Sequence, residues 1–140
     1  MKHFFSIIGG MGTIATESYV RLINHRVRIS KDQDYLNYIL VNDAQVPDRT
    51  AYIKDHSQPN FFNALKEDVL GQAKLGPDFM VMPCNTAHSP RILDAALEKL
   101  KATGRPVRFV HMIDAVVRHV RQRCGEGARV GILSTLATLE

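Results

Sequence analysis

The chain contains no tryptophan, aromatic residues amount to only 7%, and cysteine occurs twice in 140 residues. Cys84 and Cys124 stand far apart and belong to no CxxC pair or Cys/His ligand spacing. That pattern excludes a disulfide scaffold and a structural zinc site, and it implies that both thiols are reduced. No apolar run approaches the roughly 18 residues of a membrane-spanning helix. The apolar start, residues 4–8, is too short for a signal peptide and reads as a first strand, so the expected compartment is the cytoplasm. A P-loop is excluded as well, because no lysine is followed by serine or threonine.

Apolar residues make up 45% of the chain and charged residues 23%, an ordinary globular composition. At this length one domain with a real core is expected. The formal net charge is +4, and it lies late. Residues 1–98 carry ten basic and eleven acidic side chains, whereas residues 99–129 carry eight basic and two acidic. Such an excess serves nucleic-acid binding, steers an anionic substrate or coats a solvated helix face. The basic residues are spread over several elements with no interleaved aromatics, so a solvated face is the reading and no nucleic-acid partner is expected.

Hydrophobic periodicity alternates between strand and helix. Residues 4–8 read as a buried strand closed by Gly9-Gly10, and residues 13–28 as a helix with Tyr19, Val20, Ile23 and Val27 on one stripe. Residues 35–41 form a second strand that leads into a polar loop over 42–49. A helix over 61–74 turns Leu65, Val69, Leu70 and Ala73 inward and stops at Gly76-Pro77. Strand three covers 79–82, a helix runs from Asn85 to about 101, and strand four covers 107–112. A helix over 113–124 places Cys124 on its apolar, core side, and strand five covers 129–133. This order predicts an α/β fold: a parallel sheet flanked by helices, a flavodoxin- or Rossmann-like three-layer domain with right-handed crossovers. Ligands then bind beyond the carboxyl ends of the strands, which singles out the loops at 9–13, 42–50, 83–88, 111–114 and 134–138.

Three of those loops carry chemistry. Gly10-Met11-Gly12-Thr13-Ile14-Ala15 fits the G-x-G-x-x-A dinucleotide fingerprint, but the acidic residue at the end of strand two lies more than 30 positions on, beyond the usual ~20. Glycines required only for a tight strand-to-helix turn are the other reading. In Met82-Pro83-Cys84-Asn85-Thr86-Ala87-His88 a cysteine follows a buried strand and opens the next helix, where unpaired N–H groups and the macrodipole favour a thiolate and can hold a carboxylate. Cys84 is thereby a candidate acid/base thiol rather than a small buried apolar residue. His88 either faces it or sits on the helix surface. In Pro47-Asp48-Arg49-Thr50 the Arg49 guanidinium is a planar fork for a carboxylate, or a surface arginine.

Taken together and in order, the segments Gly9-Gly10-Met11-Gly12-Thr13-Ile14-Ala15-Thr16, Pro47-Asp48-Arg49-Thr50 and Met82-Pro83-Cys84-Asn85-Thr86-Ala87-His88 closely resemble the aspartate/glutamate racemase family. The resemblance implies two similar α/β domains related by pseudo-twofold symmetry, each giving one cysteine to a cleft between them. It implies a cofactor-independent and metal-free reaction in which one thiolate removes the α-proton and an opposed thiol returns one. Cys84 then matches the first catalytic cysteine. Met11 falls among the substrate-binding positions, Arg49 matches the group for the side-chain carboxylate, and Asn85, Thr86, Thr135 and Thr138 match positions around the α-carboxylate. The partner is a small dicarboxylic amino acid, aspartate or glutamate, with no nucleic acid or membrane involved.

Cys124 does not match the family's second cysteine. Residues 131–138 echo residues 9–16 at glycine, threonine, alanine and threonine, as a second copy would. The expected division is therefore an N-terminal racemase domain over 1–125 and the first strand of a truncated second domain over 126–140. Such a chain would hold half a catalytic site and be inactive alone. Val130, Ile132 and Leu133 would form an uncovered strand that favours a homo-oligomer, most simply a dimer. The alternatives are a one-cysteine relative, such as a decarboxylase or maleate isomerase, and a non-catalytic ligand-binding remnant.

Overall fold

The computed structural model describes residues 2–134, apart from the Arg91 side chain. Four parallel strands form one sheet in the order β2-β1-β3-β4, with β1 at Phe5–Gly9, β2 at Tyr38–Asn42, β3 at Phe79–Val81 and β4 at Arg108–Phe109. The helices are α1 (Thr13–Arg26), α2 (Arg49–Lys54), α3 (Phe61–Lys74), α4 (Pro90–Ala102) and α5 (Met112–Cys124). None of the described helices is long and apolar enough to cross a membrane.

The five residues of β1 are all buried, as expected of a strand covered on both faces. Alternate side chains serve opposite layers. Phe5 and Ile7 pack with Val81 against Tyr19, Val20 and Ile23 of α1. Ile8 joins Met80 and Met82 on the other side, against Leu65 and Val69 of α3 and Ile92 and Leu93 of α4. Ser6 also points to that side, and its hydroxyl donates to Gln72 Oε1 at 2.9 Å, satisfying a buried polar pair between sheet and α3. The three-layer α/β architecture read from the periodicity is therefore the one formed.

Several boundaries differ from the expectation for local reasons. The Asp34 carboxylate accepts hydrogen bonds from Ser30 N, Ser30 Oγ and Lys31 N, which curls the chain into a 3-10 turn at Asp32–Asp34 and delays β2 to Tyr38. The polar loop over 42–49 ends in a helix, because the Asp48 carboxylate caps α2 by accepting from Thr50 N and Ala51 N at 2.8 and 3.0 Å. The helix expected from Asn85 divides into a 3-10 turn at Thr86–His88 and α4. Pro90 lacks an N–H and holds Ser89 in an extended conformation (ψ 133°), so the α-helix starts at the proline. β4 is only two residues long because His111 leaves the sheet to cap α5.

The fifth strand expected over 129–133 does not form. Residues 128–134 make no strand pairing, and Ile132 is 71% exposed. A strand is held by the ladder to a neighbour, and among the described residues no ladder joins this segment to β4 or to any other strand. Cys124 corrects another expectation: it is exposed, not core. Val116 and Val117 of the same helix are exposed as well, and α5 contains no fully buried residue. An apolar stripe becomes core only where something packs on it.

Candidate functional site

The chain moves from β1 outward to β2 and then crosses back to β3 on the other side of β1, so the direction of winding reverses between β1 and β3. In an open parallel sheet such a reversal is the place where the loops leaving the strands diverge and ligands bind. Residues 10–12 leave β1 there, and residues 82–85 leave β3.

The glycines of the first loop have packing reasons. A Cβ on Gly9 would lie 2.3 Å from Thr16 Cγ2, so its absence lets α1 approach β1 closely. Gly10 has φ +93°, and a Cβ there would lie 2.2 Å from the Asp43 backbone oxygen. Thr16 ties the turn together, accepting from Gly10 N at 3.2 Å and donating to Gly12 O at 3.1 Å. Gly9 and Gly10 are thus explained by the tight turn, whereas a Cβ on Gly12, the second glycine of the fingerprint, would meet nothing within 4 Å.

Arg49 opens α2 and reaches across to that loop. Its Nη2 donates to Met11 O at 3.3 Å, and its Nη1 donates to Pro47 O and Val46 O at 3.3 and 3.5 Å. Nε is sealed from solvent and has no partner among the described residues. Among the described residues no carboxylate forms an ion pair with the guanidinium. Arg49 is thus half-buried and held by carbonyl dipoles, and Asp48, next in the chain, feels its charge without forming an ion pair, which leaves the fork open to an anion.

The Met11 side chain packs with Val46 and Cys84 in one apolar cluster. Cys84 is buried and free, and its N–H donates to Met82 O at 2.9 Å. α2 packs against the Thr86–His88 turn, so Arg49 and the cysteine turn are neighbours through both Met11 and α2. Asn85 is exposed beside Cys84, and Thr86 is half-buried. The fold therefore gathers Met11, Arg49, Cys84, Asn85 and Thr86 at one end of the sheet. Thr135 and Thr138 lie outside the described residues.

Two expectations change at this point. Cys84 does not open an α-helix: α4 begins six residues later, and only a single 3-10 turn intervenes. The macrodipole argument for its activation therefore lapses, since aligned peptide dipoles sum over a longer helix. His88 is not on a helix surface either. It is 2% exposed, and its Nδ1 donates to the Cys84 carbonyl at 2.8 Å. Its ring meets His111 edge-on at 4.8 Å, a contact between residues 23 positions apart that no local pattern announces. His111 is the N-cap of α5, where its Nδ1 accepts from Asp114 N at 3.4 Å.

A cleft of about 830 Å³ opens beside this pair, lined by Asn85, His88, Ser89 and His111 on one side and by Val116 and Ile132 among others on the opposite side. Among the described residues no group of three or more His, Cys, Asp or Glu side chains converges as a metal site would. Asp68 on α3 was not singled out from the sequence. Its Oδ2 is buried without a partner among the described residues, and its pKa is pushed up to about 6, chiefly by burial and further by the charges of Asp43 and Glu67.

The chain is similar to solved structures of known kind. It superposes on the aspartate racemase of Picrophilus torridus with a TM-score of 0.70 at 27% identity, covering 87% of this chain and 48% of that one. A protein from Yersinia pestis assigned as an Asp/Glu racemase matches with a TM-score of 0.65 at 20% identity, over 86% of this chain and 50% of the other. An aspartate racemase homologue from Pyrococcus horikoshii OT3 matches at 0.59 and 18% identity, over 89% and 50%. The last two likenesses concern the fold alone, and this chain spans about half the length of each protein it matches. The sequence profile of the Asp/Glu/hydantoin racemase family matches residues 8–140, and with the site geometry just described it follows that the chain belongs to that family.

Proposed function

We propose that this chain supplies one half of a cofactor-independent amino-acid racemase site, in which Cys84 is one of two thiol acid/base groups acting at the α-carbon of aspartate or glutamate. The observation that carries this reading is that Arg49, which has no carboxylate ion pair among the described residues, bonds to Met11, and that Met11 shares an apolar cluster with Cys84 at the carboxyl ends of β1 and β3. Arg49 binds the side-chain carboxylate, with the Met11 backbone holding the guanidinium in place. Asn85 and Thr86, beside the thiol, bind the α-carboxylate, and Thr135 and Thr138 complete that end. The Cys84 thiolate removes the α-proton, and the planar carbanion is reprotonated from the opposite face.

That second proton needs a second group. Cys124 is exposed and lies about 18 Å along α5 from the helix start near the site, so it is not that group. The division into residues 1–125 as one domain and 126–140 as the start of another is part of the proposal, with the opposed thiol supplied from beyond the first. The exposed apolar side chains of α5 and of residues 130–133 support self-association, which sedimentation velocity measures. A free acid/base thiol supports residence in a reducing compartment, the cytoplasm.

Incubation of the chain with L-aspartate or L-glutamate in deuterium oxide tests the reading. Loss of the α-proton signal without formation of the D-enantiomer is the expected result for half a site, and Cys84→Ser abolishes it. Absence of any exchange with both amino acids refutes the catalytic reading and leaves a ligand-binding role.

A further inference from the structure

Among the described residues no main-chain N–H donates to the Cys84 carbonyl. In an α-helix it would accept the N–H of residue 88. Here that N–H goes to Asn85 O at 2.9 Å, and the N–H of Ser89 goes to Thr86 O at 3.1 Å. Pro90, next in the chain, has no N–H. The His88 imidazole stands in for its own main chain, with Nδ1 lying 2.8 Å from the Cys84 oxygen in a buried setting. A carbonyl only accepts, so Nδ1 carries the proton and the neutral ring keeps a bare Nε2.

That Nε2 is sealed from water and has no partner among the described residues. The ring is 2% exposed and is held between Phe109 and His111, with centroids 5.8 and 4.8 Å away. Burial first, and then the neighbouring His111, hold the His88 pKa below its ordinary value, while the Cys84 carbonyl and Asp114 act the other way. The titratable groups facing the ring are thus His111 and Asp114, both from the start of α5, and it is the neutral form that packs there.

We propose that His88 is a positioning residue for the Cys84 thiol: its Nδ1–H tautomer replaces the missing main-chain donor and clamps the turn that carries the cysteine, and His111 fixes the plane of the ring. His88 acts through the position of the backbone and exchanges no proton with the thiol. The catalytic consequence rests on the reading of Cys84 as the reacting thiol, so the test is made on the thiol itself.

In a Cys124→Ser background Cys84 is the single cysteine, and its alkylation by iodoacetamide is followed as a function of pH. His88→Leu, which fills the site without a donor, is expected to raise the alkylation rate about tenfold at every pH, the equivalent of one lost hydrogen bond. His88→Asn fills the site less well but places an amide N–H near the position of Nδ1, and it is expected to restore the rate to within about threefold of the parent. The midpoint of the pH profile stays unchanged throughout.

A merely space-filling histidine gives the reverse order, with leucine protecting better than asparagine, and that result overturns the proposal. A shifted midpoint in His88→Asn also overturns it, because it makes His88 a charge partner of the thiol. Nitrogen-15 spectra of the unmutated imidazole are decisive even if the variants fold poorly: a protonated Nδ1 is expected, and a protonated Nε2 overturns the clamp. If the clamp holds while no amino acid exchanges its α-proton, the proposed function alone has failed.

Discussion

Asp68 offers a quantitative check on how the sheet's carboxyl end tolerates charge. Its carboxyl is half-buried, Oδ2 has no partner among the described residues, and its pKa is raised from 3.8 to about 6, with burial the larger cause and the charges of Asp43 and Glu67 following. A raised folded-state pKa means that the folded protein binds a proton more tightly than the unfolded chain does. The stability it contributes is complete below pH 3.8 and is lost as pH rises through about 6. A shift of roughly two units corresponds to a ceiling of about 3 kcal/mol. Because the residue remains partly in contact with water, screening reduces the expected effect to about 1 kcal/mol. Asp68→Asn removes the charge at constant size. In urea titrations the variant should match or fall slightly below the parent at pH 4 and exceed it by about 1 kcal/mol at pH 8. Asp43→Asn should lower the Asp68 midpoint only in part, since burial is the leading cause. An Asp68→Asn effect identical at both pH values, or a midpoint that returns fully to 3.8 once Asp43 is neutral, would refute the reasoning.

Other perturbations separate packing from the site. Leu65 is fully buried between α3 and the sheet, and Leu65→Ala should cost about 2–5 kcal/mol in urea unfolding. Gly10→Ala places a Cβ against the Asp43 backbone at a positive φ, so a loss of about 2 kcal/mol or more is expected, and a neutral result would contradict the close approach. His88 titrates below its ordinary value in the folded state, so the unfolded chain binds its proton first and stability declines as pH falls from about 6.5 toward the depressed folded-state value. His88→Asn should flatten that limb of a thermal-melt series. Arg49→Lys keeps the charge but loses the fork that reaches Met11 and Pro47, and roughly tenfold weaker binding of L-aspartate by calorimetry is expected, with thermal stability nearly unchanged.

Strong local signals were legible without coordinates. Asn60 caps α3, and its helical period runs without interruption from Phe61 to Lys74, so both limits could be read from the sequence. The alternation of strand and helix periods yields a parallel sheet because such crossovers allow little else. The order of the glycine turn, the arginine loop and the cysteine segment carried the family resemblance. Even the break before α4 was written in Ser89-Pro90, a dipeptide whose sterics oppose a continuous helix. The start of α2 was marked by Asp48 after Pro47, but a helix of six residues is too short to show a hydrophobic period.

Which layers exist and which loops could hold a ligand are written in the residue pattern, because backbone propensity and side-chain period act over a few residues at a time. Long-range packing sets the rest: Arg49 is held by the Met11 carbonyl, His88 turns inward against His111, and Cys124 with the stripe of α5 remains exposed. The same residue pattern serves as core or as surface according to what lies across from it, and that neighbour comes from a distant part of the chain.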